Sequence, residues 1–237
     1  MLWALSLGFL IGPLVALVAR TLPARGRLLG RPICAQQGCS LDVAAASATL
    51  RFLGFKRACP TCGGDPALGD LLVELGTVVL FAALALRWPF GPTLVAHLLF
   101  AALLLAIFVI DLRHRQVYFI LGYGGIALAV ALAPLAMSGG VLAALGGGLV
   151  GALIFGGFYV LGRMLYRGRA PMGTGDVTIA VLLGAMTGFP DILTALGIGI
   201  LAGGVGAVLV LLGRGSRKAY MPYGPALCIG GLVVLLS

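Results

Sequence analysis

The sequence predicts an all-α membrane protein: a polytopic bundle of about eight transmembrane helices with a small cytoplasmic zinc-binding loop domain. Three observations lead there. Of the 237 residues, 61% are hydrophobic and 10% are charged, against roughly 45–50% and about 25% in soluble domains. The apolar residues fall in long stretches with a mean hydropathy of +1.14, more apolar surface than a soluble core can hide. Four cysteines form two short-spaced pairs inside the one long polar segment.

Eight apolar stretches run over 2–18, 71–86, 93–110, 118–137, 141–165, 177–189, 192–212 and 222–236. A helix needs about 20 residues to cross the hydrocarbon layer. The sixth and eighth stretches fall short of that, which implies tilt or local thinning. No basic residue precedes the first stretch, whereas Arg20, Arg25, Arg27 and Arg31 follow it. That order fits a retained first helix with its N-terminus outside, rather than a cleaved signal.

From that start, every Lys and Arg except Arg87 falls on one side of the membrane. Seven lie between Arg20 and Asp70. The others are Arg113 and Arg115 after the third stretch, Arg163, Arg167 and Arg169 around the end of the fifth, and Arg214, Arg217 and Lys218 after the seventh. Positive loops stay in the cytoplasm, so these loops are cytoplasmic. The same placement explains the formal net charge of +9 as a topology signal, and no nucleic-acid partner is expected. The chain thus divides into a first transmembrane helix (1–19), a cytoplasmic tetracysteine domain (20–70) and a seven-helix membrane core (71–237). Among 38 glycines, Gly147 with Gly151 and Gly199 with Gly203 make small-xxx-small pairs that let helix backbones approach closely.

In the polar segment, four residues separate Cys34 from Cys39, two separate Cys59 from Cys62, and 19 lie between the pairs. Two such pairs suit tetrahedral zinc held by four thiolates. A loop of about 50 residues has little core of its own, so ligation would supply folding free energy. A reducing cytoplasm disfavours disulfides, and four thiolates leave no open position, so the expected zinc is structural. Cys228, inside the eighth stretch, reads as a small packing residue.

Only seven acidic residues occur in the chain, so the position of each is informative. Asp111 follows Phe108-Val109-Ile110 at the end of the third stretch, and Asp176 closes Met172-Gly173-Thr174-Gly175-Asp176 just before the sixth. The topology sets both at cytoplasmic helix ends, at similar depth. Ionisable groups at a membrane boundary are functional candidates, although Asp176 alone would also favour a helix N-terminus through the macrodipole. Two carboxylates held close cannot both ionise easily, so one keeps a proton. One then serves as general base towards water while its protonated partner polarises a carbonyl. Gly173 and Gly175 allow backbone to approach that centre. No G-x-S-x-G elbow and no H-E-x-x-H helix offers a rival, and there are only two histidines. A relay of carboxylates in an ion or proton-coupled transporter is the competing reading, though such relays are expected nearer mid-membrane.

At these residues the chain resembles the type IV prepilin peptidases, membrane aspartic proteases with a GxGD motif. Asp111-Leu112 resembles the family's first catalytic aspartate with its leucine, and Gly173-Thr174-Gly175-Asp176 resembles the second motif. Tyr220-Met221-Pro222-Tyr223-Gly224-Pro225 resembles the proline–aromatic–glycine–proline segment that opens the family's last helix. The family commonly has isoleucine-proline where this chain has Val117-Tyr118, and lysine where it has Thr178. The resemblance implies an aspartic endopeptidase of the bacterial inner membrane with Asp111 and Asp176 catalytic. Its partners would be type IV prepilin and pseudopilin precursors, besides membrane lipid. It also implies N-methylation of the new N-terminus with S-adenosylmethionine, and a tetracysteine loop in the position of Cys34, Cys39, Cys59 and Cys62. Glu74 falls near a glutamate of the family; substrate or methyl-donor binding and plain helix N-terminal charge complementarity are both open for it. The second of these is the reading for Asp70. His97 reads as a hydrogen-bonded packing residue and His114 as part of a solvated basic loop.

Overall fold

The computed structural model describes residues 2–26, 47–54, 68–165, 173–214 and 223–237. Among them all regular structure is helical: α1 (Leu2–Arg25), α2 (Ala48–Phe52), α3 (Leu68–Arg87), α4 (Pro92–His114), α5 (Phe119–Ala136), α6 (Gly140–Leu165), α7 (Thr174–Thr187), α8 (Asp191–Arg214) and α9 (Gly224–Leu236). Six of these (α1, α3, α4, α5, α6 and α8) are long and apolar enough to cross a membrane, whereas α7 and α9 are shorter apolar helices of 14 and 13 residues. Every expected apolar stretch coincides with one of the helices, and the chain is a multi-pass membrane protein. Large apolar side chains such as Leu142, Leu153 and Leu201 stand exposed, while glycines line the helix crossings. That arrangement suits lipid as the surrounding solvent. Cys34, Cys39, Cys59 and Cys62, and with them the expected zinc site, lie outside the described residues.

The chain forms two compact units, Met1–Pro89 and Phe90–Ser237. In the first, α1 lies against α3 because glycine permits it. A Cβ at Gly8 would lie 2.8 Å from the Cα of Val78, and one at Gly12 would lie 3.0 Å from the Cα of Glu74. Helix α1 continues past its apolar run because its polar residues find partners within the unit. Thr21 Oγ1 donates to the Leu17 carbonyl at 2.9 Å, and Arg20 pairs with the buried Asp70 of α3 at 3.4 Å. Asp70 is therefore an interhelical ion-pair partner, not merely a charge at the start of α3.

One turn beyond Asp70, the buried Glu74 gathers the start of α2. Its carboxylate accepts from Ser47 Oγ (3.0 Å), Ala48 N (2.7 Å), Thr49 N (2.8 Å) and Thr49 Oγ1 (2.6 Å). These donors occupy both oxygens, so the contacts favour an anchoring role over ligand binding. Removing the acceptor strands several buried donors, each costing about 1–3 kcal/mol. Glu74→Ala is accordingly expected to lower the thermal midpoint of the purified chain and to open the bonds within 47–54 to limited proteolysis. Glu74→Gln, which keeps one oxygen acceptor, should fall between Ala and wild type in both measurements.

In the second unit the two short helices occupy the interior. Helix α7 touches α5, α6, α8 and α9, and α9 touches α4, α7 and α8. Ile179, Ala180, Leu182 and Leu183 of α7, and Leu227 and Cys228 of α9, have no exposed surface. Cys228 is thus the packing residue expected of it. At the α6–α7 crossing, a Cβ at Gly147 would overlap the Gly184 carbonyl, and one at Gly151 the Ala180 carbonyl. The pair Gly147 and Gly151 acts here as a small-xxx-small face towards α7.

Candidate active site

Helix α4 carries Asp111 one turn before its end. The helix stops because Arg115 takes the left-handed conformation (φ 55°, ψ 38°) and its N–H donates to the Asp111 carbonyl at 2.9 Å. A non-glycine residue in this region is uncommon. Its effect is to turn the chain back through residues 116–118 into α5. Helix α7 carries Asp176 within its first turn, where backbone N–H groups lack helical partners. The Asp176 carboxylate reaches back to accept the Gly173 N–H at 3.1 Å. Helix capping therefore accounts for part of this side chain's orientation.

The two carboxylates, 65 positions apart in sequence, come to one cavity of about 390 Å³. Asp111 is 5% exposed and Asp176 9%. Their convergence follows from packing, since α4 and α7 both lie against α5 and against α9. Arg115, Gln116 and Tyr118 of the α4–α5 turn form part of the cavity wall, with Gly173 and Tyr223. One guanidinium and one amide thus share the cavity with two carboxylates and two phenols. That set can bind a polar, hydrogen-bonding ligand beside an acid–base pair.

The glycines before Asp176 play two different parts. A Cβ at Gly175 would come within 2.8 Å of Val117 Cγ2, so this glycine seats the α4–α5 turn against the start of α7. At Gly173 a Cβ would meet nothing closer than Asp176 Oδ2, at 3.7 Å, and the residue is exposed. Gly173, rather than Gly175, leaves the approach to the carboxylates open. Thr178 fits the local packing in the same way: a Cβ at Gly122 of α5 would lie 2.6 Å from Thr178 Cγ2. Sequence reasoning missed Val117, Arg115 and Tyr223 as components of the site. The segment around Tyr223 carried a signal through its resemblance to the family's last motif, but no role followed from it. Tyr220, Met221 and Pro222 lie outside the described residues.

Neither histidine joins the pair in a metal-binding group. His97 Nδ1 is 2.7 Å from the Thr93 carbonyl, a packing arrangement, and His114 is exposed. Among the described residues no three of His, Cys, Asp and Glu cluster as metal ligands would.

The family model of type IV leader peptidases matches residues 98–208, a span that holds both aspartates. The chain is 28% identical over 193 residues to the prepilin leader peptidase/N-methyltransferase of Bacillus subtilis (strain 168), covering 79% of this chain and 73% of that one. It is 30% identical over 192 residues to the type 4 prepilin-like proteins leader peptide-processing enzyme of Escherichia coli O78:H11, covering 78% and 68%. The prepilin leader peptidase/N-methyltransferase of Pseudomonas putida aligns over 98% of this chain and 89% of its own length, at 26% identity. No solved structure matches the chain. A match that takes in both cavity aspartates, with a 30%-identical relative covered over more than two thirds of its length, makes this chain a member of the type IV leader peptidase family.

Proposed function

We propose that the chain is a membrane aspartic endopeptidase that removes leader peptides from type IV prepilins and pseudopilins, with Asp111 and Asp176 as its catalytic pair. The observation that carries the reading is the burial of these two carboxylates in one cavity, at the ends of two helices that both pack on α5 and α9. Like charges at close range favour a singly protonated pair, titrating as a unit. The ionised member takes a proton from water as the water oxygen attacks the scissile carbonyl carbon. The protonated member donates to the carbonyl oxygen, giving a neutral tetrahedral diol. Collapse breaks the C–N bond as the protonated member gives its proton to the amine nitrogen and one diol hydroxyl gives its proton to the ionised member. This releases amine and carboxylic acid and restores the singly protonated pair. The open side at Gly173 gives an extended peptide room beside the pair.

On this reading α7 and α9 complete eight spans in the bacterial inner membrane, the N-terminus lies outside and the cavity faces the cytoplasm. Cys34, Cys39, Cys59 and Cys62 of the 20–70 segment hold a structural zinc, whose chemistry there is to cross-link the segment. The relatives named above as N-methyltransferases support a second activity, methylation of the newly exposed N-terminus, for which S-adenosylmethionine supplies the methyl group.

Purified chain incubated with a prepilin in lipid or detergent should yield the mature pilin by mass spectrometry, and a one-methyl gain when S-adenosylmethionine is added. Folded wild-type protein that leaves every precursor intact would sink the reading. Ion flux through proteoliposomes without cleavage would favour the transporter. The metal proposal has its own measurement: elemental analysis should find one zinc per chain, lost in Cys59→Ser/Cys62→Ser. Metal-free wild-type protein containing disulfides would overturn it.

A further inference from the structure

The first turn of α9 is inserted between the helices that carry the two aspartates, and Gly224 is the residue at the contact. A Cβ at Gly224 would overlap Asp111 Oδ2, lie 3.1 Å from Asp111 Cγ, and lie 2.8 Å from Cδ1 of Ile179. Ile179 stands on α7 one turn beyond Asp176. Position 224 therefore touches the α4 carboxylate on one side and the Ile179 side chain of α7 on the other, and has no room for a side chain unless one of them moves.

The turn at this point is fixed by its own backbone bonds. In the opening turn of α9, Ala226 N and Leu227 N both donate to the Tyr223 carbonyl, at 3.1 and 3.3 Å. Pro225 has no N–H. Asp111 Oδ2 is the polar atom packed against Gly224, in contact with this backbone. Tyr223 fixes the height of this turn: its ring lies over Gly203 of α8, where a Cβ would come within 2.6 Å of Cε2, and 6.3 Å from the ring of Phe155 on α6.

We infer that Gly224 is the positioning residue of the dyad. Its missing side chain lets α9 close on Asp111, and that close contact fixes where the carboxylate stands in the cavity it shares with Asp176. The inference rests on the proteolytic reading and adds to it a third helix, beyond the span 98–208 that the family model matches.

The test compares Gly224→Ala with Gly230→Ala in the full-length chain, using a prepilin substrate. Gly230 lies on the same helix but packs on α8, against the Ala195 carbonyl and, at 2.8 Å, Gly199 N. Displacing a reacting group by about 1 Å costs on the order of 100-fold in rate. Gly224→Ala is therefore expected to lose about 100-fold in kcat, with KM within about twofold and a changed pH–rate profile. Gly230→Ala should lower the thermal midpoint and cost less kcat per folded molecule than Gly224→Ala, with the wild-type pH–rate profile. Because Gly224→Ala also crowds Ile179, Gly224→Ala/Ile179→Val provides a second reading. It should regain thermal stability while kcat stays low.

Recovery of kcat together with stability in the double variant would make Gly224 a packing residue and overturn the inference. So would a Gly224→Ala protein with wild-type kcat and pH profile while the wild type cleaves. A wild type that cleaves nothing overturns the proteolytic reading and this inference together.

Discussion

Replacing either Asp111 or Asp176 with asparagine is expected to abolish leader cleavage, lowering kcat by about 10⁴-fold while the protein stays folded. Asparagine keeps the shape of the side chain and an oxygen acceptor, so the bond from the Gly173 N–H to residue 176 survives. What disappears is the proton exchange on which both halves of the reaction depend, and positioned acid–base groups are worth about 10²–10⁴-fold. The upper end applies because each carboxyl acts twice, once towards water or the carbonyl oxygen and once towards the products. A pair that works as a unit is also non-additive. The double variant Asp111→Asn/Asp176→Asn should therefore be no slower than either single variant. Cleavage rates from mass spectrometry, paired with thermal midpoints, check both expectations. Multiplicative losses in the double variant would mean that the two residues act independently.

The eight apolar stretches were legible because a bilayer requires long runs, and composition alone marks them. Their ends were less so, since capping rather than hydropathy sets them. Asp176 was expected just ahead of the sixth stretch, yet it sits inside the first turn of α7, because its carboxylate accepts the Gly173 N–H and lets the helix begin at Thr174. Helix α1 outruns its apolar stretch by seven residues, from 18 to Arg25, with Arg20 paired to Asp70. Helix α2 was unreadable: five residues have no periodicity to detect, and what holds them is a carboxylate 25 positions away at Thr49. That Asp111 and Asp176 line one cavity agrees with the expectation that their helix ends meet. The groups around them were not legible, because Val117 against Gly175 and Gly224 against Asp111 are tertiary contacts between residues with no distinctive chemistry.

The same blindness covers the glycines, and there the expected effects are large. The sequence shows 38 of them without saying which ones hold the site in shape. Gly184→Ala should be among the most damaging single substitutions in the second unit. Its Cβ would overlap the carbonyl of Gly147 and lie 2.7 Å from Gly148 N, backbone that no rotamer change can move aside. Overpacking a closed crossing costs about 1–3 kcal/mol and more where backbone must yield. Gly184 stands about two turns beyond Asp176 on the same short helix, so α7 would relax by shifting away from α6 and carrying that carboxylate with it. A shift of about 1 Å at the dyad costs on the order of 100-fold in rate. The substitution should thus lower both the thermal midpoint and kcat per folded molecule.

Gly156→Ala provides the contrast on α6, because a Cβ there meets nothing within 4 Å. It should leave cleavage unchanged and raise stability by up to about 1 kcal/mol through backbone entropy. If Gly184→Ala instead matched Gly156→Ala in thermal midpoint and rate, the α6–α7 crossing would not be what holds Asp176 in register with Asp111.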